Sequence, residues 1–307
     1  MDPQVTREDA AVTYRYVRVG LVALVVFLLV SLLLTWEQSC LQGSISAFYY
    51  TRTHAVFIAS LCAVGICLIA YKGSRLGEDA LLNFAGFLAF VVALAPTDSD
   101  GVCQAWLPTV AQPLDAIPNN LVALFAGATA GTGLYLGLQR WRPAQPAPVA
   151  GTPDLSGVRG VWKVVAKALL TIENGLPKVL FAAVAGASLL LFWPPARPYA
   201  HIVSAVAMFL AIILVAVYHA CYAKAAERSH RARFYATVAT LMLLAVLFAI
   251  GFWCAGFPYV VLGLETALIA LFAVFWGVQT WDVWELRDRY PEESVPALAE
   301  VAVTKGK

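Results

Sequence analysis

Eight stretches of this chain are apolar and almost uncharged over roughly the length a helix needs to cross a bilayer. A hydrocarbon core about 30 Å thick takes about 20 residues of helix. Backbone N–H and C=O groups find no partners in lipid, so a chain built from such runs satisfies them within helices or a closed barrel. The runs lie at about 20–36, 55–71, 80–96, 119–139, 179–193, 200–223, 234–254 and 259–281. They predict an all-α, polytopic transmembrane bundle of about eight helices, the fifth being the shortest. Composition agrees: 61% of residues are hydrophobic and 13% charged, against about 45–50% and about 25% in soluble domains. The first run is followed by Trp36, Glu37 and Gln38 rather than by small residues, so it reads as a retained anchor and not a cleaved signal.

Basic residues set the orientation, because loops rich in Lys and Arg stay in the cytoplasm. With eight spans, all but two of the 21 basic residues fall in the tails and even-numbered loops, the exceptions being Arg52 and Arg197. A seven-span reading that drops the fifth run puts the cluster 224–233 and the cluster 140–178 on opposite sides, and the asymmetry collapses. Both termini are therefore expected in the cytoplasm, in a bacterial inner membrane. Trp36, Trp193, Trp253 and Tyr259 then fall at the outer boundary and Tyr71, Trp141, Tyr222 and Trp281 at the inner one, where interfacial aromatics belong.

The linker that opens at Arg140 is rich in Pro and Ala, a composition that favours extended chain. It separates an N-terminal half, 1–139, with outward loops 37–54 and 97–118, from a C-terminal half, 178–281. A tail, 282–307, is expected to be disordered. Within the intervening segment 140–177, Trp162, Val165, Leu169 and Ile172 recur at helical spacing with Lys163 and Lys167 on another face. That pattern fits a short amphipathic helix on the cytoplasmic surface, or an extension of the fifth span; Gly175 and Pro177 favour a break. Gly127 with Gly131 and Gly133 with Gly137 give the fourth helix spacings that allow close helix packing. Glu78 and Asp79, at the start of the third helix beside Lys72 and Arg75, read as stabilising a helix N-terminus, and Glu173 as similarly structural.

Polar residues where a bilayer disfavours them are the functional candidates. The loop between the first two helices is dense in hydroxyls and aromatics, with Ser44, Ser46, Tyr49, Tyr50, Arg52 and His54, and is too apolar for an ordinary solvated loop. It is expected to fold back into the bundle mouth. Asp98, Asp100 and Asp115 lie in the next outward loop, and Arg52 is expected to pair with one of them. Glu265 lies two turns into the last helix and shares a face with Phe272, Trp276 and Gln279, which makes it a candidate proton carrier or hydrogen-bond donor. His201 and His219 share a face of the sixth span about 27 Å apart at about 1.5 Å per residue, too far for a common metal. His54 and His201 are at most weak metal candidates, without diagnostic spacing. Cys40 and Cys103 fall in outward loops and can form a disulfide, with Cys254 as a competing partner.

The segments 44–51 (SISAFYYT), 71–73 (YKG), 78–79, 83–86 (NFAG) and 95–97 (APT) resemble a group of uncharacterised bacterial multi-pass membrane proteins. That resemblance implies the fold but brings no activity. Ser44 or Ser46 with the later aspartates also bears a distant likeness to the membrane hydrolases that include alkaline ceramidases. That superfamily binds zinc through three histidines, and no histidine pair spaced four apart exists here.

Phosphate loops, dinucleotide fingerprints and nucleophile elbows are missing, so no cofactor and no nucleic acid is expected. Three functions remain: binding or moving a lipid or small amphipathic ligand through an outward-facing pocket, lipid hydrolysis or transfer with His201 as base, and an accessory role in assembly. The first fits the hydroxyl-rich loop above Glu265 and His201 best. Residues 44, 46, 49, 50, 52, 98, 201, 265, 276 and 279 are its candidate ligand residues.

Overall fold

A computed structural model describes residues 3–73, 75–97, 102–103, 116–141, 160–225, 228–282 and 284. Within them lie nine α-helices and no strand. They are α1 (Pro3–Gln38), α2 (His54–Ala70), α3 (Leu76–Leu94), α4 (Ala116–Trp141), α5 (Val161–Ile172), α6 (Leu176–Leu190), α7 (Ala200–Ala225), α8 (Ser229–Cys254) and α9 (Val260–Asp282). Short 3-10 turns at Ser46–Tyr50 and Pro194–Tyr199 precede α2 and α7. The chain is thus a polytopic helix bundle. Six helices, α1, α3, α4, α7, α8 and α9, are by themselves long and apolar enough to cross a membrane.

The two shorter segments, α2 with 17 residues and α6 with 15, also run from one end of the bundle to the other. Thr53, just before α2, has its hydroxyl 2.8 Å from that of Thr35 near the end of α1. Tyr71, just after α2, accepts from Arg18 in the first half of α1. The segment 173–190 starts at the Glu173–Arg75 pair and delivers Leu191 to a small core with Val91, Ala95 and Ala200 at the far end. α2 and the segment 173–190 therefore run between a Glu265 end and an Arg75 end, and the bent α5–α6 pair brings the candidate spans to seven. The ninth helix, α5, is the amphipathic segment, and it meets α6 at a 78° bend. Gly175, whose N–H donates to the Ile172 carbonyl, and Pro177 in the first turn of α6 make that break, since proline lacks the donor a continuing helix requires.

One hydrophobic core serves both halves, so the linker divides the sequence without dividing the packing. Its members come from α1, α2, α3, α5, α7, α8 and α9. The most extensive helix contact, α3 against α7, crosses the halves. The tightest helix approach is between α2 and α3: a Cβ on Gly65 would lie 2.7 Å from the Gly86 carbonyl oxygen, and one on Gly86 2.6 Å from that of Gly65.

The expected packing role of the α4 glycines is corrected here. A Cβ added at Gly127, Gly131, Gly133 or Gly137 would have nothing within 4 Å among the described residues. α4 touches the bundle at its N-terminal end, where Asn120 donates to the Leu94 carbonyl at 2.8 Å and Phe125 meets Phe87. Small residues permit close approach only when a partner helix is there to approach.

At the Arg75 end, polar groups tie helix ends together. Arg75 forms a pair with Glu173 of the α5–α6 break, both largely buried. The hydrogen bond from this guanidinium to Glu173 raises the Arg75 pKa further above its usual value. Lys72 and the Gly73 N–H bond the Asp79 carboxylate. Glu78 is fully buried, with Oε1 3.1 Å from His219 Nε2 on α7. Glu78 and Asp79 both lie in the first turn of α3, as expected, and the Glu78 side chain also turns into the bundle toward α7. Arg18 on α1 donates to the Gln279 side chain at 3.0 Å and to the Tyr71 hydroxyl at 2.8 Å, and lies over the Tyr71 ring.

Candidate ligand site at the Glu265 end

The loop after α1 folds back into the bundle mouth, as its composition requires. Ile45 and Phe48 are buried against Leu28 and Leu32 of α1 and Phe57 of α2, three residues apart on one face of the 3-10 turn. A Cys40–Cys103 disulfide pins its start. Buried Gln42 braces the same point, donating to the Cys103 carbonyl at 2.7 Å and accepting from the Cys103 N–H at 3.0 Å. Tyr50 closes the other side by donating to the Thr97 carbonyl at 2.6 Å.

At the centre of the lid three side chains distant in sequence converge. Ser44 accepts the Ala47 N–H at 3.0 Å and so starts the 3-10 turn with Ser46 as its first residue. Ser46 Oγ lies 3.0 Å from Glu265 Oε1 on α9 and 2.6 Å from His201 Nε2 on α7. Glu265 Oε2 accepts the Ile45 N–H at 2.6 Å, the donor at the open end of the turn. Nearby, the Leu262 N–H donates to the Gly43 carbonyl at 3.1 Å, which holds α9 to the lid.

His201 is oriented from the opposite side. Its Nδ1 lies 2.7 Å from the Ala95 carbonyl oxygen. A residue before proline is disfavoured in the helical conformation, and Ala95, followed by Pro96, is extended where α3 ends. The Ala95 carbonyl is thereby outside the helical ladder and turned to the histidine. A carbonyl only accepts, so His201 Nδ1 carries a hydrogen.

Beneath this cluster lies a cavity of about 70 Å³ lined by Ser46 and Glu265 at the polar end, by Ser60 of α2, and otherwise by apolar side chains, among them Leu28, Phe57, Met208 and Phe272. The site therefore has two parts, a polar head cluster and an apolar pocket directed toward the bundle interior.

The other candidates fall elsewhere. Tyr49 and His54 are part of the lid: His54 Nδ1 lies 2.6 Å from the Tyr49 carbonyl and the rings are in edge contact. Arg52 is exposed and donates to Gln38 at 2.9 Å, while Asp98, Asp100 and Asp115 lie outside the described residues. Trp276 is buried against Tyr71, Phe272 and Phe275. Gln279 belongs to the Arg18–Tyr71 cluster, where it also donates to the Tyr71 hydroxyl at 2.7 Å. The shared face of α9 thus points into the bundle, but its two polar ends serve different clusters. Gln42 and the Ala95 carbonyl were not anticipated. Pro96 is the sequence signal that could have found the second, and no local signal marks the first.

Fold and site together define a multi-pass membrane protein with a hydroxyl, an imidazole and a carboxyl gathered over an apolar cavity. No protein-family model, curated protein or solved structure matches the chain.

Proposed function

We propose that this protein binds a lipid or small amphipathic molecule through the Glu265 end, with the polar head at Ser46, His201 and Glu265 and the apolar chain in the cavity below. The observation that carries the reading is the adjacency of the two parts: Ser46 and Glu265 line one end of the cavity, under a lid fixed by a disulfide, and the rest of the lining is apolar apart from Ser60. Ligand sites commonly combine an apolar lining with a few convergent polar groups. At about 70 Å³ the cavity accepts a short alkyl segment, and a whole acyl chain requires neighbouring side chains to move, since drug-sized ligands occupy about 300–1,000 Å³.

The bundle lies in the bacterial inner membrane with both termini in the cytoplasm. The distribution of basic residues supports this orientation, for it puts Arg75, Lys72 and the 224–233 cluster inside and the Ser46 lid outside. An equilibrium titration tests the binding. A fluorescent fatty-acid analogue added to the purified protein in detergent should bind saturably, and Leu28→Trp, which fills the cavity, should weaken it at least tenfold without lowering the melting temperature by more than a few degrees. Binding that is non-saturable, or indifferent to Leu28→Trp, contradicts the reading.

A further inference from the structure

We propose that Ser46 is the nucleophile of an esterase acting on acyl esters of lipids, with His201 as general base and Glu265 as donor to the developing oxyanion. The proposal rests on the reading of the cavity as an acyl site and adds a reaction to it. It starts from a count of hydrogens. His201 Nδ1 carries one, held by the Ala95 carbonyl 2.7 Å away. In a neutral imidazole Nε2 then bears a lone pair, aimed at Ser46 Oγ from 2.6 Å. Ser46 has a single hydrogen to place. If it points to His201, the 3.0 Å contact with Glu265 Oε1 needs a hydrogen on the carboxyl. If it points to Glu265, Nε2 needs one. Both arrangements hold one proton more than a carboxylate beside a neutral imidazole, and they differ only by a shift of hydrogens along the chain Glu265, Ser46, His201.

The arrangement with neutral His201 and a Glu265 carboxylic acid is the reactive one. It contains the elements of an acyl-transfer site: a nucleophile bonded to its base, and a base oriented by a third group. Here the third group is a backbone carbonyl. The Ile45 N–H, 2.6 Å from Glu265 Oε2, holds the carboxyl in place, and the acid O–H, bonded to Ser46 Oγ at rest, is the donor that turns to the substrate carbonyl oxygen as Ser46 attacks. A carboxylic acid kept neutral by its surroundings can act as an oxyanion donor.

Ser46 Oγ attacks the ester carbonyl carbon while its proton passes to His201 Nε2. The carbonyl oxygen becomes an oxyanion held by the Glu265 O–H. Collapse breaks the C–O bond to the alcohol, which leaves with the proton from Nε2, and the acyl group remains on Ser46. Water then attacks the acyl carbon, gives its proton to His201, and the carboxylic acid departs as Nε2 returns that proton to Ser46. The acyl chain lies between Leu28, Phe57 and Phe272, and the alcohol leaves past exposed Gly43 at the lid.

Alkyl fluorophosphonates of short and long chain, offered to the full-length protein in detergent, test this, because Ser46 Oγ displaces fluoride from phosphorus and the adduct is located by peptide mass. Labelling of Ser46 is expected, faster with the long chain and lost in Ser46→Ala. His201→Gln, which keeps a side-chain donor for Ala95, should slow it by about 100-fold or more, the scale of a lost general base. Glu265→Gln should stay within about tenfold of the wild type because its amide donates in place of the acid, whereas Glu265→Ala should not. A wild-type protein that binds the fatty-acid analogue yet leaves Ser46 unlabelled overturns the catalysis and leaves the binding intact. Labelling of Ser46 indifferent to chain length and to Leu28→Trp overturns the acyl site itself, and with it the lipid substrate.

Discussion

The two ends of the bundle both gather polar side chains but arrange them differently. At the Arg75 end, arginine, lysine, glutamate, aspartate and histidine form pairs that span helix ends: Arg75 with Glu173, Lys72 with Asp79, Arg231 with Asp282 at 2.8 Å, and Glu78 beside His219. At the Glu265 end an acid and a histidine are bridged by a serine, and the cluster opens on an apolar cavity. A charge pair between helix ends satisfies both partners and holds a register. A hydroxyl placed between a carboxyl and an imidazole is oriented from both sides and still faces the cavity. Burial of polar groups alone therefore does not set the two ends apart; the apolar cavity beside one of them does.

Breaking the pair at the Arg75 end should have the largest effect on stability. Disrupting a buried ion pair costs about 3–5 kcal/mol, so Glu173→Gln should lower the melting temperature strongly in detergent while the protein that remains folded binds the fatty-acid analogue as before. Lost affinity in the folded fraction would merge the two ends into one functional unit. Gly86→Ala comes next. Its Cβ would meet the Gly65 carbonyl at 2.6 Å, and overpacking costs about 1–3 kcal/mol, read as a lowered melting temperature. Gly127→Leu on α4 should change the melting temperature least, by the equivalent of at most about 0.5 kcal/mol, because nothing among the described residues lies within 4 Å of its Cβ position. A large loss there would show that the α4 face is covered.

Much of the fold was legible because it depends on local pattern. Apolar runs locate the helices within a few residues, and Gly175 with Pro177 separates α5 from α6. Charge parity argues for eight crossings, of which six helices are long and apolar enough by themselves, α5 and α6 form a bent pair and α2 is a shorter apolar helix. The N-terminal extent of α1, which continues back to Pro3, was not legible: the apolar pattern starts later, and a helix continues through polar residues without it. Glycine spacing likewise pointed to the wrong helix: the spaced pairs lie on α4, whereas Gly65 and Gly86, which meet across the α2–α3 contact, have no glycine four residues away, and which helices neighbour each other is not written in either.

The site was legible in its members and not in its wiring. Ser46, His201 and Glu265 stand out as polar residues in apolar surroundings, but Ser46 and His201 are 155 residues apart and only the folded bundle joins them. Gln279 shows the converse. It shares a helix face with Glu265, yet fourteen residues carry it to the other end of the molecule, into the hands of Arg18 and Tyr71.

The claim that the Glu265 end is the working end is tested most directly by locating a bound chain. A phospholipid with a photoactivatable diazirine midway along its acyl chain, cross-linked to the protein in bilayers and mapped by peptide sequencing, should label Leu28, Phe57 or Phe272, and Leu28→Trp should remove that label. Label confined to bilayer-facing residues such as Leu33 and Phe248, or gathered at the Arg75 end, and unchanged by Leu28→Trp, would contradict the account.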